Sequence, residues 1–315
     1  MRSTSSIFAL ALASAAACTV GGDPPGGDDV PVAGEISGTI SADQTWSGTV
    51  TLVGDTTIAA GATVTIAAGT HVEARQGVTL RVGGTLLADG TAAAPITLNP
   101  TADATAWSGV VVDGGGAATL TYVTGAHVAT LLYCHAGATA CVLDHVTFSD
   151  MAKALQAEAD ATIDHSHLSK VDNGGVSILA GDVTIRDTTL LTSTGDVVIG
   201  NGGSLTIQYS EIGEAMGSYE HCDLHINGAT ALRIEHSTIR AAVYGMMIGG
   251  TNGAVIQYNN FVDNEVGKDI SEVGTNTAVD LRFNYWSNGA PTGLGAAYDV
   301  SSPAPARLTD AGPRP

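Results

Sequence analysis

A short motif recurs along the chain at a nearly constant interval, and this repeat constrains the fold more than any other feature. The motif has the form apolar–x–(aromatic or His)–(Ser, Asn or Thr)–x–apolar. It occurs as LTYVTG (120–125), LDHVTF (143–148), IDHSHL (163–168), IRDTTL (185–190, with Asp at the ring position), IQYSEI (207–212), IEHSTI (234–239), IQYNNF (256–261) and LRFNYW (281–286). Successive copies begin 20 to 27 residues apart. Such regularity predicts a solenoid of stacked units.

The composition indicates which solenoid this is. Gly accounts for 40 of the 315 residues and aromatic side chains for only 5%, while β-branched residues alternate with polar ones. The leucine-rich-repeat framework is missing. The sequence therefore predicts an all-β fold, a right-handed parallel β-helix with about eight recognisable coils of roughly 22 residues plus N-terminal capping coils. Equivalent residues of adjacent coils would lie about 4.8 Å apart.

Strand alternation assigns each motif position to a side of the β-helix. The first position is always Leu or Ile and is predicted to point inward. The third position shares its parity, so we expect an interior ladder of stacked rings there, formed by Tyr122, His145, His165, Tyr209, His236, Tyr258 and Phe283, with Asp187 in the same column. Small polar residues at the fourth position favour a turn in which side chains bond to the backbone. His236, within RIEHSTIR (233–240), is thus interpreted as a structural rung.

The N-terminus predicts export. Residues 1–17 combine a weakly basic start, the short apolar run IFALALASAAA and small residues before Cys18, the pattern of a signal peptide. Ala15-Ala16-Ala17-Cys18 resembles the lipobox of bacterial lipoproteins, although that family usually has Leu where Ala15 stands. The resemblance implies lipidation of Cys18; the alternative is cleavage by ordinary signal peptidase and a secreted protein. We expect a location in the cell envelope, lipid-anchored, at the outer membrane or cell surface.

The remaining segments follow from composition. Residues 18–37 begin with the lipidated Cys and contain the Gly-, Pro- and Asp-rich stretch TVGGDPPGGDDVPVAG, which predicts a flexible tether. Residues 38–113 are expected to form the N-terminal cap and first coils, and residues 114–290 the β-helix repeats. The Pro-rich residues 291–315 cannot continue the solenoid and are predicted to cover its C-terminal end.

The charge excludes some partners. The formal net charge is −19, and loss of Arg2 with the signal peptide would make it −20. Such a surface repels nucleic acid and anionic membranes, so we expect no nucleic-acid partner and membrane contact through the lipid anchor only.

The motif ladder, the run Asn284-Tyr285-Trp286-Ser287 and the segment GTLLADGT (84–91) followed by Pro95-Ile96 carry a family resemblance. The chain resembles the right-handed parallel β-helix proteins described as pectate-lyase-like, over residues 38–300. This resemblance implies the fold and leaves the activity open, because the fold hosts lyases, hydrolases, adhesins and proteins without known activity.

The outward second motif position offers candidate catalytic residues. Asp144 and Asp164 would lie on adjacent coils, close to the carboxylate separation of retaining glycosidases, and His167 lies nearby in a second outward column. The same pattern also fits an ordinary solvated strand face. Family signatures count against an enzyme, since the paired Asp-Asp, Gly-His-Gly and Arg-Ile-Lys motifs of the polygalacturonase type are missing. No lysine lies in the repeated motif to serve a lyase.

Residues 219–226, YEHCDLHI, offer a candidate metal site. His221, Asp223 and His225 share one parity and could bind zinc or iron on one strand face, with Glu220 and Cys222 beside them. The segment lies in the longest interval between motif copies, so a surface loop without a metal is the alternative.

The cysteines support one inference. Cys134 and Cys141 are seven residues apart and could close a turn as a disulfide in an oxidising compartment. Cys222 lies about four coils away and should pair with neither.

Anchor, tether and solenoid together predict an envelope-anchored, acidic, non-enzymatic module that displays its surface to glycans or to surface proteins. The alternative is a carbohydrate-active hydrolase or lyase that uses the face around Asp144 and Asp164. No cofactor is expected; calcium would be needed only to bridge the acidic surface to an anionic polysaccharide.

Overall fold

The computed structural model describes residues 32–172, 174–215 and 221–315, and these form a parallel β-solenoid of about twelve turns. The described part of the chain contains strands and no α-helix, and therefore no helix that could span a membrane. The predicted signal peptide, Cys18, most of the tether and Glu220 lie outside the described residues. The all-β class and the stacked coils predicted from the repeat are confirmed.

Three parallel sheets, which we call faces A, B and C, run the length of the solenoid. Four long strands turn a corner and contribute to more than one face: β1 (Val32–Ile40), β2 (Gln44–Ile58), β10 (Val123–Cys134) and β12 (Thr147–Ala157).

The shorter strands belong to one face each. Face A contains β3 (Thr63–Ala67), β6 (Thr85–Asp89), β9 (Ala117–Thr121), β11 (Ala140–Asp144), β13 (Ala161–Asp164), β16 (Asp182–Arg186), β19 (Ser204–Gln208), β22 (Ala231–Glu235), β25 (Val255–Gln257), β28 (Val279–Asp280) and β30 (Tyr298–Asp299). Face B contains β4 (His71–Ala74), β7 (Ile96–Pro100), β14 (His167–Val171), β17 (Thr189–Ser193), β20 (Glu211–Ala215), β23 (Thr238–Arg240), β26 (Asn260–Val262) and β29 (Tyr285–Trp286). Face C contains β5 (Thr79–Val82), β8 (Trp107–Val112), β15 (Val176–Ile178), β18 (Val198–Gly200), β21 (Cys222–Asn227), β24 (Tyr244–Gly249) and β27 (Ile270–Glu272).

A single residue with positive φ forms the corner between faces A and B in every repeated coil. This first corner is occupied by Tyr122, His145, His165, Asp187, Tyr209, His236, Tyr258 and Phe283, with φ between 43° and 65°. Residues other than Gly rarely adopt this left-handed conformation. A second corner, between faces B and C, lies five residues later and comprises His127, Asp150, Lys170, Thr192, Glu214, Ala241 and Asp263.

The first corner corrects the expected direction of the rings. A left-handed residue interrupts strand alternation, so the residue after it, and not the corner residue itself, points inward. Tyr258 is 38% exposed, whereas Asn259, which follows it, is fully buried. The rings do stack, with centroids 4.8 Å apart for His145–His165 and 5.3 Å apart for His236–Tyr258. They form a half-exposed stack on an outer edge, and not an interior ladder.

The aliphatic core column was predicted correctly. All eight first-position side chains are fully buried: Leu120, Leu143, Ile163, Ile185, Ile207, Ile234, Ile256 and Leu281. Burial of each aliphatic side chain of this size stabilises the fold by about 1.5–3 kcal/mol.

The fourth motif position forms a buried hydrogen-bond ladder. Ser166 Oγ accepts the backbone N–H of Val146 at 3.0 Å, and Asn259 Oδ1 accepts that of Ser237 at 2.9 Å. The hydroxyl of Ser237 donates to the carbonyl of Glu235 at 2.9 Å. These bonds satisfy backbone groups that the corner removes from the sheets, as the small polar column predicted.

The C-terminal segment runs along the side of the solenoid. β30 first extends face A beside β28. The segment after it then returns along the first corner, where Leu308 N–H donates to Asn260 Oδ1 at 2.9 Å and Gly312 N–H donates to the carbonyl of His236 at 2.9 Å. The sequence predicted that residues 291–315 cover the C-terminal end; in the structure part of this segment also binds along the first corner, because the polar groups there offer it hydrogen bonds. β1 begins at Val32, inside residues 18–37, which were predicted to form a flexible tether.

Candidate functional site

The predicted catalytic carboxylates lie on adjacent coils, as expected. Asp144 and Asp164 are register partners in β11 and β13 of face A. Asp144 Oδ1 lies 2.8 Å from His145 Nδ1, and Asp164 Oδ1 lies 2.9 Å from His165 Nδ1. Arg186 also binds Asp164 through its Nη2 atom. Asp164 is thus held in an ion pair with Arg186, and Asp144 in a hydrogen bond with His145.

His167 does not join this group. It begins β14 on face B, is exposed, and pairs in register with Thr147 and Thr189. The corner at His165 and the inward turn of Ser166 separate it from Asp164. The described contacts of the two carboxylates therefore involve His145, His165 and Arg186, and not His167.

The structure divides the predicted metal ligands between two places. His225 Nδ1 lies 3.0 Å from Asp196 Oδ2, and His221 Nδ1 lies 3.4 Å from Asp196 Oδ1. Asp196 also accepts the backbone N–H of Cys222 at 2.9 Å. Burial opposes ionisation of Asp196, but the bonds from His225 and the Cys222 backbone hold the pKa of this carboxyl below its ordinary value.

Asp223 does not contribute to this cluster. Its side chain is fully buried and accepts the backbone N–H of Ala215 at 3.3 Å. Burial raises the pKa of the Asp223 carboxyl well above its ordinary value. The expectation of one shared face for His221, Asp223 and His225 is therefore corrected: Asp196, from the preceding coil, supplies the carboxylate.

The cysteines have different environments. The structure joins Cys134 and Cys141 in a disulfide with Cα atoms 6.4 Å apart, closing the turn between faces C and A. Cys222 is a buried free thiol. Burial, followed by the nearby charge of Asp196, raises the pKa of this thiol well above its ordinary value.

A groove of about 540 Å³ follows the second corner on the outer surface. Its floor is formed by buried residues that pair in register across four successive coils: Val128, Met151, Val171 and Ser193. Three of these four side chains are apolar, so the floor is largely hydrophobic.

Polar side chains line the rim of this groove. Asp150, Lys170 and Thr192 occupy equivalent second-corner positions in three consecutive coils. Lys170 Nζ lies 3.4 Å from Asp150 Oδ2, which also accepts the Ser149 hydroxyl at 2.7 Å. The Ser149 bond and then the Lys170 charge hold the pKa of Asp150 below its ordinary value.

The continuation of the rim supplies a second carboxylate. Asp172 Oδ1 accepts the Thr194 hydroxyl at 3.2 Å, and both residues line the groove. Lys153 Nζ donates to the carbonyl of Gly174 at 3.1 Å nearby, and burial lowers the pKa of this lysine. Two of the chain's few lysines therefore lie at or beside the groove.

The comparison with protein families decides the classification. A family model described as "Right handed beta helix region" matches residues 108–284, more than half of the chain. The chain belongs to the right-handed β-helix family. No curated protein and no solved structure matches it. For a right-handed β-helix protein, family membership establishes the fold, and the function must be argued from its surface.

Extending the repeat alignment by five residues would have revealed the rim of the groove in this β-helix. The column that contains Asp150, Lys170 and Thr192 recurs with the same period as the first corner and is mainly polar. No comparable signal pointed to Asp196. The longest interval between motif copies, 27 residues from 207 to 234, begins between Asp196 and His225 and hides the register of the two coils.

Proposed function

We propose that this protein is an envelope-anchored β-helix that binds neutral oligosaccharides along the groove at its second corner without transforming them. One observation carries the proposal: an apolar floor, continuous over four coils, is flanked by Asp150, Lys170 and Thr192 at three consecutive corner positions. A rigid scaffold presents these groups at a constant interval, which favours a ligand that is itself a repeated unit.

The chemistry of the groove suits sugar rings. The C–H faces of a pyranose can pack on the solvent-accessible alanines of the groove, Ala106, Ala129 and Ala152, while hydroxyl groups donate to the carboxylates of Asp150 and Asp172. Lys170 can donate to ring and hydroxyl oxygens, and the Thr192 hydroxyl, which donates to Glu214 Oε2 at 2.7 Å, can accept from a sugar hydroxyl. Strands in a sheet repeat about every 4.8 Å, an interval close to the length of one sugar unit in an extended chain. Successive sugar units would therefore meet successive coils.

Electrostatics favours a neutral ligand. The whole chain carries 31 acidic and 12 basic residues, so an anionic polysaccharide would be repelled at long range unless a cation bridged the two surfaces. The rim adds two carboxylates, Asp150 and Asp172, and only one lysine. A protein ligand for the same surface is the competing outcome of the test.

The state of Asp144 and Asp164 supports binding over hydrolysis. A retaining glycosidase needs one carboxylate free to attack and one able to give up a proton. Here Asp164 is bound by Arg186 and His165, and Asp144 by His145. These partners occupy both carboxylates, and the arrangement does not suit an acid–nucleophile pair.

A binding and turnover screen tests the proposal. The purified mature protein would be tested against neutral and uronate-containing oligosaccharides, with and without calcium, measuring both retention and release of reducing ends. Saturable binding of a neutral glycan with no release is the expected result. Failure to bind any glycan would reject the proposal. Turnover that is lost in Asp164→Asn would replace it with the hydrolase alternative.

Matched variants locate the binding site. Lys170→Ala and Asp172→Asn should each weaken glycan binding about tenfold, because one lost hydrogen bond to a charged group corresponds to about 1.5 kcal/mol or more. Arg307→Ala, which removes an exposed charge outside the groove, should leave the affinity unchanged. Equal losses in Lys170→Ala and Arg307→Ala, with no loss in Asp172→Asn, would assign the effect to net charge.

The anchor is tested separately. Two or more acyl chains hold a protein stably on a membrane, so Cys18→Ser should move the protein from the membrane fraction to the soluble fraction. Wild-type protein that is already soluble after fractionation would contradict the lipoprotein assignment, without affecting the glycan proposal.

A further inference from the structure

We propose that Asp196, His221, Cys222 and His225 form a transition-metal site of the zinc type. The donor atoms of Asp196, Cys222 and His225 all lie within 4.8 Å of one another. His221 Nδ1 joins them at 3.4 Å from Asp196 Oδ1. The site lies where β18 and β21 of face C begin, two residues beyond Thr194 at the end of the glycan groove, and the inference goes beyond the proposed function.

The donor set selects the class of metal. Two imidazoles, a thiolate and a carboxylate match the ligands of zinc and related transition ions, whereas calcium and magnesium require mainly oxygen ligands. Tetrahedral zinc, with bonds of about 2.0–2.3 Å, separates neighbouring donors by about 3.3–3.8 Å. The observed 3.0 Å between His225 and Asp196 and 3.4 Å between His221 and Asp196 are close to that spacing. Small side-chain rotations would therefore complete the geometry.

The position of the donors suits a bound ion. Cys222 is fully buried and the side chain of Asp196 is 10% exposed, so these two donors are already removed from water. His221 and His225 are partly exposed, at 20% and 35%, and leave a path for the ion to enter. Asp196 is fixed by the backbone N–H of Cys222 at 2.9 Å, which orients its carboxylate toward the imidazoles.

The proton balance of binding is straightforward. The Cys222 sulfur forms a bond to the divalent ion as its S–H bond breaks, and the proton passes to solvent. An imidazole that binds the ion through a protonated nitrogen releases that proton in the same way. Metal binding should therefore release protons and become tighter as pH rises.

One other cluster of metal-binding residue types, close to the first corner, carries less weight. Asp164, His165 and Asp187 come together near the first corner, but Arg186 already binds Asp164 and Arg314 already binds Asp187. A divalent cation would have to displace a guanidinium there. The described neighbours of Asp196 include two imidazoles and a thiol, which can all become ligands.

Cobalt and zinc titrations of the full mature chain, with its disulfide intact, test the site. We expect one Zn²⁺ ion per chain to bind saturably in the presence of excess Mg²⁺ and Ca²⁺. Co²⁺ should give visible absorption of the tetrahedral type and a near-ultraviolet thiolate-to-cobalt charge-transfer band. Absence of saturable binding, or a cobalt spectrum without the thiolate band, would overturn the proposal.

Variants identify the ligands. Cys222→Ser should abolish the charge-transfer band, and His225→Gln should weaken zinc binding more than about tenfold, the loss typical even of residues that only support a ligand. His145→Gln, in a different Asp–His cluster, should leave zinc affinity unchanged. If Cys222→Ser does not fold, the wild-type cobalt spectrum and the partly exposed His225 still decide the question. Unchanged affinity in His225→Gln would overturn the assignment.

Discussion

The guanidinium of Arg314 forms two hydrogen bonds of 2.7 Å to the carboxylate of Asp187, which lies 127 positions earlier in the chain. The Asp187 side chain has no exposed surface, and the guanidinium lies 3.8 Å from the centre of the Tyr209 ring. Asp187 is the one first-corner residue without a ring, and Arg314 fills that gap in the stack. The pair therefore fastens the C-terminal segment to the side of the β-helix.

Removal of this pair should release the segment locally. In Arg314→Ala, the amide of Gly312, which donates to the His236 carbonyl, should exchange with solvent faster. Hydrogen exchange measured by mass spectrometry over residues 303–315 provides the readout. Arg307→Ala removes the same charge from the same segment and should leave exchange unchanged; similar acceleration in both variants would mean that charge, and not the Asp187 contact, holds the segment.

The same contact should depend on pH. Burial disfavours the charged form of Asp187, but the bonds and charge of Arg314 and the charge of His165 hold the pKa of its carboxyl below the ordinary value. Arg186 Nε also lies 3.7 Å from it. The pKa of Asp187 is therefore lower when the C-terminal segment is bound to the β-helix than when it is released. The contribution of Asp187 to binding of the segment is complete well above the ordinary Asp pKa of about 3.9, and it is lost as pH falls through the lower pKa of the bound state.

The protection of residues 303–315 from amide hydrogen exchange should therefore decrease in acid. In Asp187→Asn, exchange should already be fast at neutral pH, and the acid step assigned to this carboxyl should disappear. An acid step of the same size in Asp187→Asn would show that other carboxylates control docking.

The sequence predicted the aliphatic column because Leu and Ile recur at one position with one period. It could not reveal the corners in the same way. Strand alternation assumes continuous extended backbone, and one left-handed residue such as His145 restarts the alternation, so that Val146 points inward. For this reason the first-corner rings lie on the outer edge, and not in the interior as the sequence predicted.

The corrected register can be tested with two neighbouring residues. Asn259→Ala removes the acceptor for the Ser237 amide and the donor to the Ile234 carbonyl, both buried. Each unsatisfied buried group costs about 1–3 kcal/mol, so we expect a loss of about 3 kcal/mol. Tyr258→Ala, at an exposed edge, should cost only about 1 kcal/mol from lost ring stacking.

Urea unfolding, monitored by amide exchange in β25 and the adjacent coils, measures the loss of stability in both variants locally. A local probe is needed because solenoids can unfold in parts. A larger loss at Tyr258 than at Asn259 would restore the interior placement of the rings.

At the second corner, replacement of a left-handed residue by glycine should stabilise the fold. Ala241 has φ of 63°, a conformation that costs a residue with a Cβ about 1–2 kcal/mol. Ala241→Gly relieves this cost and loses part of the gain to the greater freedom of the unfolded chain, so stability should rise by about 0.5–1 kcal/mol. Ala242→Gly, at the next, buried position without positive φ, should instead lose about 0.5–1 kcal/mol. Thermal midpoints compare the two variants, and destabilisation by both would contradict the left-handed corner.

The candidate sites were only partly predictable. His221 and His225 were found because their residue type and spacing carry a chemical signal. Asp196 was missed because nothing in the sequence fixes which coil lies beneath β21. Asp150 and Asp172 were missed because isolated carboxylates in an acidic chain have no distinguishing pattern until the groove brings them together.

Hydrogen exchange with a bound neutral oligosaccharide distinguishes glycan binding in the groove from hydrolysis at Asp144 and Asp164. We expect the ligand to slow exchange in residues 150–152, 170–172 and 192–194, which line the groove in three consecutive coils, and we expect to recover the oligosaccharide uncleaved. Protection centred instead on β11 and β13, around Asp144 and Asp164, or recovery of a cleaved ligand, would contradict it.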